Sequence, residues 1–313
     1  MPRTLFGYIW RLSAQHQLGL CVLSAIVFGL SAVPLELQRR IVNDAIAKGA
    51  VETILWLALA YAAVALLEGA VKLCLNIYRS WVSEVTVRKL RKGIGARTAE
   101  AVQRDDDAAK GGTSISMILS ESEPIGGFAG VCLSEPLLQG GILLSVFGYL
   151  VWLHPWMAVL SIAVFSPQLV FVPLMQGAIN RRAEERIHTL REVSGGIVDA
   201  SAGDGKLEAD AQEEHIHQVY RLNMGIFKLK FSMNFLMNLL HHFGVATVLG
   251  VGGWYAVQGK VEVGTVVAFV SGLAKVNDPW RDLVAWYREM AVTSVRYKLV
   301  ADAMGELEVK SAA

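Results

Sequence analysis

The residues most able to do chemistry here are ionisable ones set inside or beside long apolar stretches. Glu68 and Lys72 stand four apart within Thr53–Leu75, while Lys275, Asp278, Arg281 and Asp282 follow the apolar run Val263–Ala274 at spacings of three and four. A charge at the centre of a bilayer costs about 3 kcal/mol or more, so such residues turn toward other helices or toward water. Counted from Thr53, Glu68 lies roughly 22 Å and Lys72 roughly 28 Å along the helix. They are read either as a Glu–Lys pair, with the lysine snorkelling to the interface, or as lining for a cavity. The stripe from Lys275 to Asp282 shares one helical face, which Pro279 can bend. It is read as an interhelical network or as one wall of a wet path. Glu135 falls near an interface. His241 and His242 are adjacent and point about 100° apart, so they cannot chelate one ion from the same helical face. They read as core or interface residues, and Cys21, Cys74 and Cys132, widely spaced, read as small buried side chains. No Ser-His-Asp arrangement, metal-ligand cluster or catalytic carboxylate pair is present, so an intramembrane enzyme finds no support.

The elements that must carry these residues follow from composition. Of 313 residues, 53% are hydrophobic and 18% charged, and the mean hydropathy is +0.41. The net charge of +1 excludes a polybasic nucleic-acid binder and an acidic disordered tail. About 20 apolar residues cross the hydrocarbon as a helix. Six stretches are read as spans: Gln17–Leu35, Thr53–Leu75, Leu133–Leu153, Trp156–Met175, Phe235–Val257 and a less obvious one beginning near Val263, where only about a dozen residues are apolar. The first is too long for the core of a signal peptide. The fold class expected is therefore an all-α membrane protein with six transmembrane helices. Gly126 and Gly130, Gly140-Gly141 and Gly250/Gly252-Gly253 permit close helix packing.

Basic residues set the expected orientation. Asn76–Ala129 and Gly177–Asn234 are rich in arginine and lysine, whereas the opposite loops hold Arg39, Arg40, Lys48 and Lys260. Both long loops and both termini are thus expected in the cytoplasm of a multi-pass cell (inner) membrane protein, with Arg39-Arg40 opposing the trend. The two loops show helical periodicity around Trp81–Leu90, Ile187–Leu190 and Ile216–Leu222. Each carries turn residues near its middle: Asp105-Asp106-Asp107 and Gly111-Gly112 in one, Gly203-Asp204-Gly205 in the other. About 25 residues out and 25 back would carry each tip on the order of 35 Å beyond the bilayer. Two such helical hairpins make sense if a soluble body must push on the membrane helices.

Local strings add a resemblance to the membrane domain of exporter-type ABC transporters, the type IV fold. They are Val33–Ile46, the Ser120–Ile125 string with Glu121 and Glu123, and Gly259–Phe269 followed by Lys275–Arg281. The third is similar to the family's entry into its last span, with Glu262 where a threonine is usual. The resemblance implies a homo- or heterodimer of six-helix domains in the lipid bilayer, with loop tips that dock as coupling helices on an ABC ATP-binding domain or subunit. The matching positions are Asp105, Asp106, Asp107, Lys110 and Gly111 in the first loop and Gly203, Asp204 and Lys206 in the second. It also implies that the last span lines the translocation path, placing Lys275, Asp278 and Arg281 there, with Glu68 as a further candidate.

Residues 1–16 would form an amphipathic elbow, 17–305 the six-helix domain, and 306–313 a tail or the start of a linker. The only Gly-Lys pairs, Gly205-Lys206 and Gly259-Lys260, are followed by Leu207 and Val261, so no P-loop is present in this sequence. Catalysis and cofactor binding are accordingly not expected of this chain; ATP and Mg are expected on partner ATP-binding domains, and no nucleic acid. Two rival readings are a membrane scaffold or regulator of the same fold, and an ion-coupled secondary transporter using Glu68 or Asp278.

Overall fold

The computed structural model describes residues 2, 4–46, 49, 51–102, 122–201 and 209–312. The expected coupling set (Asp105, Asp106, Asp107, Lys110, Gly111, Gly203, Asp204 and Lys206) lies outside the described residues. Within them the regular elements are helical: α1 (Leu5–Ser31), α2 (Val33–Arg40), a π-helical turn (Ile41–Ile46), α3 (Val51–Val102), α4 (Ser122–Val131), α5 (Ser134–Leu153), α6 (Pro155–Phe165), α7 (Gln168–Ser201), α8 (Ala209–Val257), α9 (Val263–Ala274) and α10 (Asn277–Ala312). Five stretches are long and apolar enough to cross a membrane: Leu5–Asp44, Val51–Ala96, Ser122–Leu153, Pro155–Leu190 and Glu213–Val257. The run expected from Val263 is divided between α9 and α10 and is not among the five.

Proline accounts for the divisions. Pro34, Pro124, Pro136 and Pro279 each occupy the second or third position of a helix, namely α2, α4, α5 and α10. That position tolerates a residue without an N–H, but the helix cannot continue smoothly back through it. At the first break, Leu35 N donates to Ala32 O at 3.1 Å rather than to Ser31 O. Ser31 O is thereby released for another donor. α1 itself departs from helical backbone at Ser13, where the hydroxyl donates to Ile9 O at 2.8 Å.

The chain divides into two compact units, residues 1–155 with 253–313, and residues 156–252. In the first unit, α1 buries Ser13, Gln17, Leu20, Ser24, Val27 and Ser31, a spacing of alternating four and three that forms one seam. Leu20 and Val27 pack with Leu75, Val82 and Leu138. Toward the chain start, Leu5 and Ile9 pack with Leu90, Ile94, Phe128 and Tyr297. α4 lies close against α3: a Cβ at Gly126 would strike the Val87 backbone, and one at Gly130 the Arg79 carbonyl. The glycine spacing read as a packing motif therefore packs helices within this chain. In the second unit α7 and α8 meet through Arg186 Nη1, which donates to Asn223 Oδ1 at 3.2 Å, and through Gly225, beside the Arg182 side chain.

Candidate functional site

Aromatic residues give the first unit a depth scale. Trp56 on α3 and Trp152 on α5 are exposed, while further along α3 Tyr78 bonds His16 through Oη···Nδ1 at 2.9 Å and stacks with Trp81. Trp56 and Tyr78 are separated by about 33 Å of helix, close to the thickness of hydrocarbon that aromatic side chains border on both faces. Polar side chains collect in two layers on this scale.

The first layer lies near the Trp152 level. Glu36 accepts from Arg39 Nε and Nη2, both at 2.9 Å, from Arg40 Nε at 2.6 Å and from the Tyr149 hydroxyl at 2.7 Å. Arg39 Nη1 also reaches Glu262 Oε2 at 3.1 Å, and Asn43 Nδ2 reaches the same oxygen at 2.5 Å. Asn43 Oδ1 then accepts from Gly264 N at 2.6 Å, which requires the close backbone approach that glycine allows. Glu262 stands at the N-cap of α9 but makes no side-chain cap bond. Its carboxylate is spent across the bundle, on Arg39 and Asn43, which gives it a structural role. Arg39 and Arg40, which run against the charge asymmetry, are balanced by Glu36 and Glu262 together.

The second layer lies near the Tyr78 level. Arg79, with a side chain only 10% exposed, donates from Nε to Ser134 Oγ at 2.9 Å and from Nη1 to Glu135 Oε2 at 2.5 Å. Glu135 Oε1 accepts from Gln139 Nε2 at 2.8 Å, and Gln139 Nε2 also donates to Asp282 Oδ2 at 3.2 Å. This chain of bonds joins α3 through α5 to α10. Nearby, Gln17 Nε2 donates to Ala129 O at 2.8 Å and Ser24 Oγ to Ser134 O at 3.2 Å, around the break between α4 and α5.

The structure separates the sequence-derived path residues. Lys275 Nζ donates to Ser31 O at 2.9 Å, filling the acceptor left by the Pro34 break. Arg281 and Asp278 pair at 3.1 Å with side chains 51% and 75% exposed, so this chain leaves that face uncovered. No ion pair joins Glu68 and Lys72 among the described residues; Lys72 instead lies close enough to Asp282 for the two charges to interact. Glu68 is half-buried on α3. His241 and His242 have ring centroids 5.6 Å apart in the second unit. No group of three His, Cys, Asp or Glu able to hold a metal occurs among the described residues. Arg79, Gln139 and the Glu36–Glu262 layer were not singled out from sequence as a site. The signal that finds the buried seam is the alternating four-and-three spacing in α1 of Ser13, Gln17, Ser24 and Ser31 with Leu20 and Val27 between them.

These helices and layers define a helical membrane protein. No protein-family model matches the chain. Over 219 residues it is 24% identical to YgaD of Bacillus subtilis (strain 168), whose name describes a multidrug export ATP-binding/permease protein. The matched region is 66% of this chain and 38% of that protein, so the chain spans well under half the length of the relative it matches. The similarity and the five apolar helices point the same way, to a membrane protein of transport.

Proposed function

We propose that this chain is the membrane-spanning permease part of an exporter-type ABC transporter. In this reading it crosses the cell membrane six times, with α9 and the start of α10 forming the sixth crossing. Both termini face the cytoplasm, residues 1–16 form the elbow, 17–305 the six-helix domain, and 306–313 a tail or linker. It pairs with a second six-helix domain and docks residues 105–112 and 202–207 on ATP-binding domains that bind ATP and Mg. The similarity to YgaD carries the reading. Two helices support it physically: α3 has 52 residues and α8 has 49, about 78 and 74 Å, where about 30 Å crosses the hydrocarbon. The excess length suits helices that reach a soluble engine. The second polar layer and the uncovered Asp278–Arg281 face would then border the path of the transported molecule.

Vesicles carrying the chain with its ATP-binding partner provide the test, with ethidium as the transported probe. ATP should drive ethidium movement, and replacing Asp105–Asp107 or Gly203–Lys206 with alanine should abolish it while insertion stays normal. Normal movement in those variants would overturn the coupling assignment. Movement that needs no ATP and collapses with the proton gradient would instead establish an ion-coupled transporter.

A further inference from the structure

A hollow of about 470 Å³ opens between the first turns of α1 and the far part of α3. Its apolar lining includes Leu90, which is 1% exposed, and Leu12. Gly93 leaves it room, since a Cβ there would meet nothing within 4 Å. The walls are held in place. Thr4 caps α1 by accepting from Gly7 N, Tyr8 lies 5.3 Å from the Tyr297 ring, and the Tyr297 hydroxyl donates to Pro2 O at 2.7 Å. Arg11 and Lys89 stand exposed at the rim. Among the described residues no acidic side chain lines the hollow.

Depth identifies what meets these two cations. Arg11 lies about 8 Å along α1 beyond His16, the edge of the aromatic layer, and so at headgroup level. Lys89 lies about 17 Å along α3 beyond Tyr78, and its long stem carries the ammonium part of the way back toward the interface. Phe6 and Trp10, on the same turns of α1 as Tyr8 and Arg11, remain exposed, as expected of a helix bordering lipid. A guanidinium fork beside an ammonium matches phosphate oxygens, and basic pockets between membrane helices take anionic headgroups.

We propose that this hollow binds the phosphate headgroup of an anionic phospholipid. Arg11 and Lys89 hold the phosphate oxygens, and the glycerol region lies over Leu12, on the His16 side of Arg11. The proposal requires only that the chain spans a membrane, so it stands or falls separately from the exporter reading.

The test is native mass spectrometry of the full chain in detergent, titrated with phosphatidylglycerol or with phosphatidylcholine of the same acyl chains. Inorganic phosphate serves as competitor. Phosphatidylglycerol should bind in preference to phosphatidylcholine and resist competition by millimolar phosphate. Arg11→Gln should weaken phosphatidylglycerol binding about fivefold, and Arg11→Gln with Lys89→Gln about 25-fold. Phosphatidylcholine binding should not change. Gly93→Leu, which fills the hollow and removes no charge, should also weaken phosphatidylglycerol binding, whereas Arg88→Gln, outside the hollow, should leave it at the wild-type level. Equal binding of the two lipids overturns the proposal, and so does full displacement by phosphate. An Arg88→Gln loss as large as that of Arg11→Gln would overturn it as diffuse charge attraction. Should Arg11→Gln fail to fold, Lys89→Gln and Gly93→Leu decide between the same outcomes.

Discussion

Arg79 shows what one buried charge demands. Its guanidinium is held by Ser134 and Glu135, and its Nη2 has no partner among the described residues. Removing one member of a buried pair leaves an uncompensated charge, typically at a cost of about 3–5 kcal/mol, whereas removing both is often neutral. Glu135→Leu should therefore lower thermal stability in detergent sharply, and Arg79→Met with Glu135→Leu should recover most of the loss. The glycines on α4 give a second contrast. Gly126→Ala should destabilise because its Cβ meets the Val87 backbone, while Gly127→Ala, facing open space, should not. Tyr297 yields a pH test. Burial pushes its hydroxyl up to about 12, with Tyr8 adding to the shift. The folded state therefore keeps the proton more tightly than the unfolded state, whose ordinary value is near 10. The resulting stability is complete below pH 10 and is lost as pH rises toward 12. In Tyr297→Phe, alkaline unfolding should lose that contribution. At this scale the sequence showed which residues were out of place in lipid but not their partners: Lys275 and Ser31 are 244 positions apart, and no local spacing links them.

Helix boundaries were more legible, because proline acts locally. Pro279 was expected to bend the last apolar run, and that run is divided between α9 and α10 next to it. What spacing could not supply was the compensation at each break. At Pro34 the released Ser31 carbonyl takes the Lys275 ammonium. Lys275→Met should leave that acceptor unpaired and cost about 1–3 kcal/mol. Adding Pro34→Ala lets Leu35 N bond Ser31 O again, so the double variant should regain much of the loss in the same unfolding assay. The turn before α9 behaves similarly. Gly259 has φ +70°, a conformation that costs other L residues roughly 1 kcal/mol or more, and Gly264 admits the Asn43 side chain. The glycines of that string were visible in sequence as part of a family resemblance; their physical task became visible only with α2 alongside.

For the whole molecule, apolar runs of about 20 residues gave the helical membrane class, since a segment in lipid must satisfy its backbone internally and such a run does so as a helix. Composition did not show the division into two units, because it depends on which apolar faces meet rather than on how apolar they are. Five of the six expected crossings are long and apolar enough on their own, and the missing one is the run broken by Pro279. Sidedness has a direct check. With the native cysteines replaced, cysteines introduced at Glu213 and at Gln258 bracket a single crossing of α8. A membrane-impermeant maleimide should label them from opposite faces of sealed vesicles, and labelling from the same face would remove that crossing.

Stiffness is distributed unequally among these helices. α1–α2, α4–α5 and α9–α10 are jointed by proline, whereas α3 runs from Val51 to Val102 without one. Beyond Tyr78 about 36 Å of it stands clear of the aromatic layer, so a swing of about 5° pivoting there displaces its far end by about 3 Å. That is the width of a side chain. α3, with the turns of α1 and α4 packed on it, can act as a lever arm, turning a small tilt in lipid into a stroke large enough to make or break a contact at its far end.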